Sequence, residues 1–293
     1  MNPATNSPAE PARHWLAAGI PAIDIAISAH RGSVPREAGT HMVVTADALA
    51  GTIGGGHLEL RATEAARAML QRGEAGPLEL DFPLGPALGQ CCGGRVQLRL
   101  QRLTPEGLAG WPTPAPRFVL QLHGAGHVGR AVVQLLAGLP CRVQWVDERE
   151  DGFPMPGATD GTVQAAPHIQ CIDTDDAPAE VTLAPPGACF LVMTHRHDLD
   201  LRISEAILRR GDFRFFGLIG SATKRAGFRH RLAERGFSTT ELDRITCPIG
   251  LPGIDGKEPE VLALAVVAQL MSLPRTTALP SEGTSLHLSE HFC

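Results

Sequence analysis

The spacing of apolar positions changes part-way along this chain, and the change separates two folding regimes. In the first hundred residues the apolar period is two. Ile23, Ile25 and Ile27 share one face, so residues 22–28 are expected to form a half-buried strand. Further strands are expected at 41–45, 78–82 and 95–100, the last with Val96, Leu98 and Leu100 on one side. Gly51-Thr52-Ile53-Gly54-Gly55-Gly56 is a glycine turn that feeds an Ala- and Leu-rich helix from His57 to about Arg72. Beyond residue 117 strands and helices alternate. Strands are expected at 118–122, 142–146, 189–193 and 215–219, and helices at 128–136, 201–210, 223–235 and 258–273. The last helix is apolar nearly all round and is expected to be largely buried. This alternation implies a parallel sheet covered on both faces. The expected class is α/β, with a C-terminal Rossmann-like doubly wound parallel sheet and an N-terminal α+β domain.

Proline and composition set the expected boundaries. Residues 1–12 read as a disordered tail and 13–103 as the α+β domain. Residues 104–116, with Pro105, Pro112, Pro114 and Pro116, read as a stiff linker. The Rossmann-like domain then runs over 117–275, and a Ser-, Thr- and His-rich flexible tail over 276–293.

The chain has 293 residues and a formal net charge of −5 without a basic run, which disfavours nucleic acid or an anionic membrane surface as partner. No apolar stretch reaches the roughly 18 residues of a membrane span. The first dozen residues lack a basic n-region, so no signal peptide is expected and a cytoplasmic location is. Seven cysteines, an odd number, are then expected to be reduced thiols.

The most specific chemistry lies in Gly124-Ala125-Gly126-His127-Val128-Gly129, between the apolar run 118–122 and the helix that follows. A second strand then ends in Asp147. Strand, glycine turn, helix, strand and acid form the order of a dinucleotide-binding βαβ unit. Gly124 allows the tight bend, Gly126 lets backbone approach a ligand, and Gly129 lets helix pack on strand. The helix N-terminus offers free N–H groups to an anion.

Gly89-Gln90-Cys91-Cys92-Gly93-Gly94 is the second signal. Adjacent thiols flanked by glycine can approach a ligand, and thiolate is a soft donor suited to soft metals or sulfur chemistry. Packing as small apolar residues is the alternative. Zinc is disfavoured because no CxxC or CxxH pair occurs. Cys141, Cys171, Cys189 and Cys247 lie in or beside apolar runs and read as structural; the terminal Cys293 is uninformative.

Thr194-His195-Arg196-His197-Asp198 ends a strand, where ligands of open α/β sheets gather, although a polar strand-end loop explains it equally. In Gly217-Leu218-Ile219-Gly220-Ser221-Ala222-Thr223-Lys224-Arg225, Ser221 can cap a helix while Lys224 and Arg225 offer charge to an anion or remain solvated. Pro248-Ile249-Gly250-Leu251-Pro252-Gly253 is a rigid loop before the last helix, whose first-turn Glu258 and Glu260 suit its dipole. Arg31 and Arg36 share one loop and either clamp an anion or are surface charges; the roles of His57 and Glu59 stay open.

Together these stretches resemble the XdhC/CoxI family, accessory proteins of xanthine dehydrogenase and related molybdenum hydroxylases. The resemblance rests on Arg31-Gly32-Ser33-Val34-Pro35-Arg36, Gly54-Gly55-Gly56, the Cys91-Cys92 motif, the Gly124 motif with His123, Val192-Met193-Thr194-His195, the Gly217 motif and Pro248-Ile249-Gly250-Leu251. One departure is Glu148, where such proteins often carry Pro between the acid and Arg149. The resemblance implies a non-enzymatic chaperone that binds the molybdenum cofactor in its molybdopterin form and protects it. It would support exchange of an oxo for a sulfido ligand beside a cysteine desulfurase, and deliver the product to the hydroxylase. Molybdenum cofactor synthesis proteins are further implied partners. The expected cofactor-binding residues are Gln90, Cys91, Cys92, Gly93, Gly124, Gly126, His127, Gly129, Asp147, His195, Ser221 and Lys224, with Cys91 and Cys92 as molybdenum ligands. A homodimer is expected from the apolar last helix. The rival reading is an NAD(P)-dependent oxidoreductase, against which no His, Lys or Tyr arrangement announces hydride chemistry. A scaffold without a cofactor would leave the paired cysteines unexplained.

Overall fold

Each of the two apolar periods builds its own sheet. The computed structural model describes residues 8–84, 94–112, 115–149, 151–153 and 166–274, in two compact units, Met1–Thr113 and Pro114–Cys293.

In the first unit the elements are α1 (Ala9–Ala17), β1 (Ile23–Arg31), β2 (His41–Val44), β3 (Leu49–Gly51), α2 (Gly56–Arg72), β4 (Leu78–Pro83), β5 (Arg95–Arg102) and α3 (Pro105–Ala109). The strands form an antiparallel sheet in the order β3-β2-β1-β5-β4. Ile25 stands opposite Met42 on one side and Leu100 on the other. These residues, with Ile23, Ile27, Val44 and Leu98, bury against Leu58, Ala62, Ala66 and Met69 of α2. Two expectations fail here. Residues 9–12 are helical instead of a disordered tail, because Ala12, Trp15 and Leu16, spaced for one helix face, pack on Ala22 and Val43 of the opposite sheet face. The stretch read as linker begins with a helix. The Thr104 hydroxyl accepts the Gly107 N–H at 3.0 Å, Pro105 occupies the first turn, and Leu108 and Trp111 join the same apolar cluster.

The second unit contains β6 (Val119–His123), α4 (His127–Leu136), β7 (Arg142–Asp147), β8 (Ile169–Asp173), α5 (Ala177–Glu180), a 3-10 turn (Val181–Leu183), β9 (Cys189–Val192), α6 (His197–Arg210), β10 (Phe215–Leu218), α7 (Ala222–Glu234), α8 (Thr239–Leu242), β11 (Ile245–Thr246) and α9 (Pro259–Ser272). All six strands are parallel, in the order β11-β10-β9-β6-β7-β8. Numbered from β6, the order from the β8 edge is 3-2-1-4-5-6, that of the dinucleotide-binding fold. One face packs Leu120, Leu122 and Trp145 against α4 and α9; the other packs Phe190, Val192 and Phe216 against α6 and α7. The α9 residues Ala263, Val266 and Leu270 fill this core, whereas Leu264 on the same helix is exposed. Among the described residues no helix is long and apolar enough to cross a membrane.

Candidate functional site

The switch in strand order falls between β6 and β9, where successive connections leave the sheet in opposite directions and open a crevice at the strand ends. Gly124 leaves β6 with φ +118°, and a Cβ there would lie 2.5 Å from the Met193 carbonyl oxygen at the end of β9. A Cβ at Gly129 would overlap the Gly124 carbonyl, which also accepts the Trp145 indole N–H at 3.1 Å. Protein atoms therefore enforce both glycines. Gly126 differs: its φ of −74° suits any residue, and among the described residues nothing lies within 4 Å of its missing side chain. It precedes α4, whose first N–H groups have no intrahelical acceptor, and His127 beside it is exposed.

Asp147, at the end of β7, faces inward. Its Oδ2 accepts the Ala125 N–H at 2.5 Å and an Arg149 guanidinium N–H at 2.9 Å. Its Oδ1 accepts the Arg149 backbone N–H at 3.0 Å and Nε at 2.8 Å. Four donors fill the four lone-pair positions of a carboxylate. Burial alone would raise its pKa, but the bonds from the Arg149 side chain, Ala125 and the Arg149 backbone outweigh it and hold Asp147 below the ordinary carboxylate value.

On the β9 and β10 side, His195 and Ser221 are exposed. The Ser221 hydroxyl caps α7 by accepting the Lys224 N–H at 3.3 Å. Lys224 does not offer its charge outward, as the sequence reading has it. Its Nζ donates to Oδ2 of Asp200, a fully buried carboxylate on α6, at 2.6 Å. The signal missed was Asp200 itself, an acid inside the first turn of α6, which starts at His197 and not at residue 201.

His123 is fully buried on β6. Gln121 donates its amide to Gln144 Oε1 and the Glu180 carbonyl, so its own Oε1, 2.9 Å from His123 Nε2, accepts the ring N–H. Among the described residues the Nδ1 lone pair has no partner. Burial drives the imidazole pKa down to about 3, which keeps the ring neutral.

In the first unit, three motifs meet at one end of the sheet. A Cβ at Gly54 would overlap Pro35, and one at Gly94 would overlap the Ser33 carbonyl. Glu59 organises the glycine turn: its Oε2 accepts the Thr52 hydroxyl at 2.7 Å and the N–H groups of Ile53 and Gly55 at 3.2 and 3.0 Å. Arg31 and Arg36 are exposed. Gln90, Cys91, Cys92 and Gly93 lie outside the described residues. Among the described residues no cluster of three or more His, Cys, Asp or Glu is arranged to hold a metal ion. Burial pushes the Cys141 and Cys189 thiols up to about 12, which fits packing and not reactivity. Cys171 is disulfide-bonded, against the expectation of reduced thiols.

The XdhC Rossmann domain matches residues 120–270, more than half of the chain and all of the crevice just described. The chain belongs to the XdhC family. The XdhC and CoxI family also matches residues 15–82, across β1, α2 and the Glu59 turn. YqeB of Escherichia coli (strain K12), an uncharacterised protein, is 28% identical over 251 residues. That match covers 83% of this XdhC-family chain, which spans only 42% of the length of YqeB. A crystal structure of a protein from Bacillus halodurans, described as a xanthine dehydrogenase, superposes with a TM-score of 0.69 at 20% identity, covering 91% of this chain and 95% of that one. At that identity the likeness speaks for the fold. The XdhC Rossmann match thus takes in Gly124, Gly126, His127, Gly129, Asp147, His195, Ser221 and Lys224, whereas the XdhC and CoxI match ends before Gln90.

Proposed function

We propose that this XdhC-family chain serves the maturation of xanthine dehydrogenase or a related molybdenum hydroxylase, with the molybdenum cofactor as its cargo. It receives the cofactor from the synthesis proteins, shelters it, supports its sulfuration beside a cysteine desulfurase, and hands it on. Family membership supports the maturation role. The observation that carries the site is the open space at Gly126, between two glycines that are closed by protein.

The cargo has a terminal phosphate, and N–H groups at the start of a helix suit a phosphate. The proposed contacts are the backbone from Gly124 to His127, with Gly129 allowing α4 to approach, and His195 and Ser221 at the neighbouring strand ends. Asp147 and Lys224 belong to the frame, since their polar atoms are already bonded within the protein. Cys91 or Cys92, between Gln90 and Gly93, is proposed to ligate the molybdenum of the cargo or steady its labile sulfur, on the chemistry of thiolate alone. When bound, the cofactor supplies a dithiolene-held molybdenum whose reaction takes place in the hydroxylase. No residue of this chain is assigned a catalytic step. A dimer is part of the proposal.

The NAD(P) reading needs a carboxylate free to accept ribose hydroxyls at the position of Asp147; four internal donors already occupy that group. The test is to incubate the purified full chain with molybdenum cofactor and, separately, with NAD(P), then desalt and measure retained molybdenum, pterin fluorescence and nicotinamide. Retained pterin and molybdenum without nicotinamide is the expected result. Nicotinamide retained alone, or nothing, contradicts the proposal. Light scattering at micromolar concentration, with the 31.1 kDa monomer mass as the contrary result, tests the dimer.

A further inference from the structure

The pairing of Lys224 with Asp200 points to a role that neither residue type announces. Asp200 is fully buried and Lys224 is 10% exposed. Their contact lies in α6 and α7, on the helical layer, but the remaining bonds of Asp200 run to the crevice. Its Oδ1 accepts the Thr194 backbone N–H at 3.0 Å and the Thr194 hydroxyl at 2.7 Å. The same hydroxyl oxygen accepts the Arg196 N–H at 3.2 Å. One carboxylate therefore fixes the loop that leaves β9. That loop abuts the glycine turn directly, since a Cβ at Gly124 would lie 3.1 Å from the Thr194 nitrogen.

The sequence around Lys224 is shaped for this pairing. A Cβ at Gly220 would lie 2.5 Å from Lys224 Cδ, so the glycine makes room for the lysine stem. The Nζ sits 5.3 Å from the centre of the Phe228 ring. Ser221 caps α7 and fixes the angle at which the lysine leaves the helix. A buried ion pair contributes little net stability against an apolar replacement of the same volume. Its value lies in direction, because a buried carboxylate must point its lone pairs at donors.

We propose that Asp200 and Lys224 are positioning residues: the pair holds the Thr194–Arg196 loop in place against the Gly124 turn and so sets the shape of the crevice. The pair acts through Thr194 and does not touch the ligand. The importance of that shape for cargo rests on the function proposed above; the loop geometry itself does not.

The experiment is hydrogen–deuterium exchange on the ligand-free full chain, comparing peptides over residues 193–197 with peptides over β6 and α4. Lys224→Met and Asp200→Asn are expected to speed exchange at 193–197 by about tenfold, the effect of losing one buried charge-assisted bond, while β6 and α4 stay as in the wild type. Because either variant can fail to fold, Thr194→Val is the companion. It removes the hydroxyl without orphaning a buried charge, and is expected to loosen 193–197 at an unchanged melting temperature. Titration of folded Thr194→Val with molybdenum cofactor should show weaker binding than the wild type. Unchanged exchange at 193–197 in Thr194→Val, or acceleration spread evenly over the second unit in every folded variant, overturns the positioning role. If the wild type retains no cofactor, the proposed function fails while the exchange result still decides this inference.

Discussion

The Oδ2 of Asp147 accepts the Ala125 N–H at 2.5 Å, which ties the end of β7 to the glycine turn that follows β6. The acid that a dinucleotide fold offers to its ligand is here part of the turn's own frame. Replacing it leaves the Ala125 N–H and the Arg149 guanidinium without their acceptor.

Asp147→Ala should therefore destabilise the protein by about 2–3 kcal/mol at neutral pH, the cost of breaking buried charge-assisted bonds. Because the folded-state pKa lies below the ordinary value, the contribution is complete above the unfolded value of about 3.9 and is lost as pH falls through the folded one. Urea unfolding at pH 7 and near pH 3 measures both. A loss under about 0.5 kcal/mol at pH 7 would show that these bonds carry no stability.

His123 makes a separate pH prediction. Its pKa is near 3 in the folded protein and ordinarily 6.5, so the unfolded chain binds the extra proton first as the solution is acidified. The stability is complete above pH 6.5 and falls towards pH 3. Between pH 7 and pH 5 the wild type should lose about 2 kcal/mol more than His123→Gln. Equal losses in the two proteins would mean that the imidazole takes up its proton while folded.

The glycines of the turn should separate by role. Gly129→Ala and Gly124→Ala each press a methyl group into a backbone carbonyl, and Gly124 also needs positive φ, so both should lower the unfolding midpoint by the equivalent of about 1–3 kcal/mol or more. Denaturant titration with circular dichroism reads this. Wild-type stability in either variant would contradict the packed turn.

How far the sequence was legible follows from the range of the interactions. The strand, turn, helix, strand and Asp147 order is local, and Gly124, Gly126 and Gly129 stood where the βαβ pattern requires them. Helix α1 was hidden because Ala12, Trp15 and Leu16 acquire a partner surface only through Val43, in another strand. Lys224 read as a free cation because its partner Asp200 lies 24 residues earlier in the chain. Asp147 read as a ligand contact for the same reason, since the donor Ala125 lies 22 residues before it. The unpaired Nδ1 of His123 has no counterpart in residue type or spacing at all.

For the paired cysteines the prediction rests on thiol chemistry. Cys91→Ser with Cys92→Ser should lower cofactor occupancy and the activation of the partner hydroxylase, because serine stays protonated near neutral pH. Cys141→Ser and Cys189→Ser should affect stability alone, their thiols being buried. Bound pterin and hydroxylase activity are the readouts. Full occupancy and full activation in the folded double variant would make the pair structural.

The central claim is that the open space at Gly126 receives the phosphate of the cargo. Gly126→Val is its most direct test: the backbone there suits valine and, among the described residues, no atom lies within 4 Å of the new Cβ, so the fold should survive. Cofactor titration followed by pterin fluorescence should show affinity reduced by about tenfold or more, equivalent to about 1.4 kcal/mol, with circular dichroism unchanged. Wild-type affinity in the folded variant would place the cargo elsewhere and contradict the account.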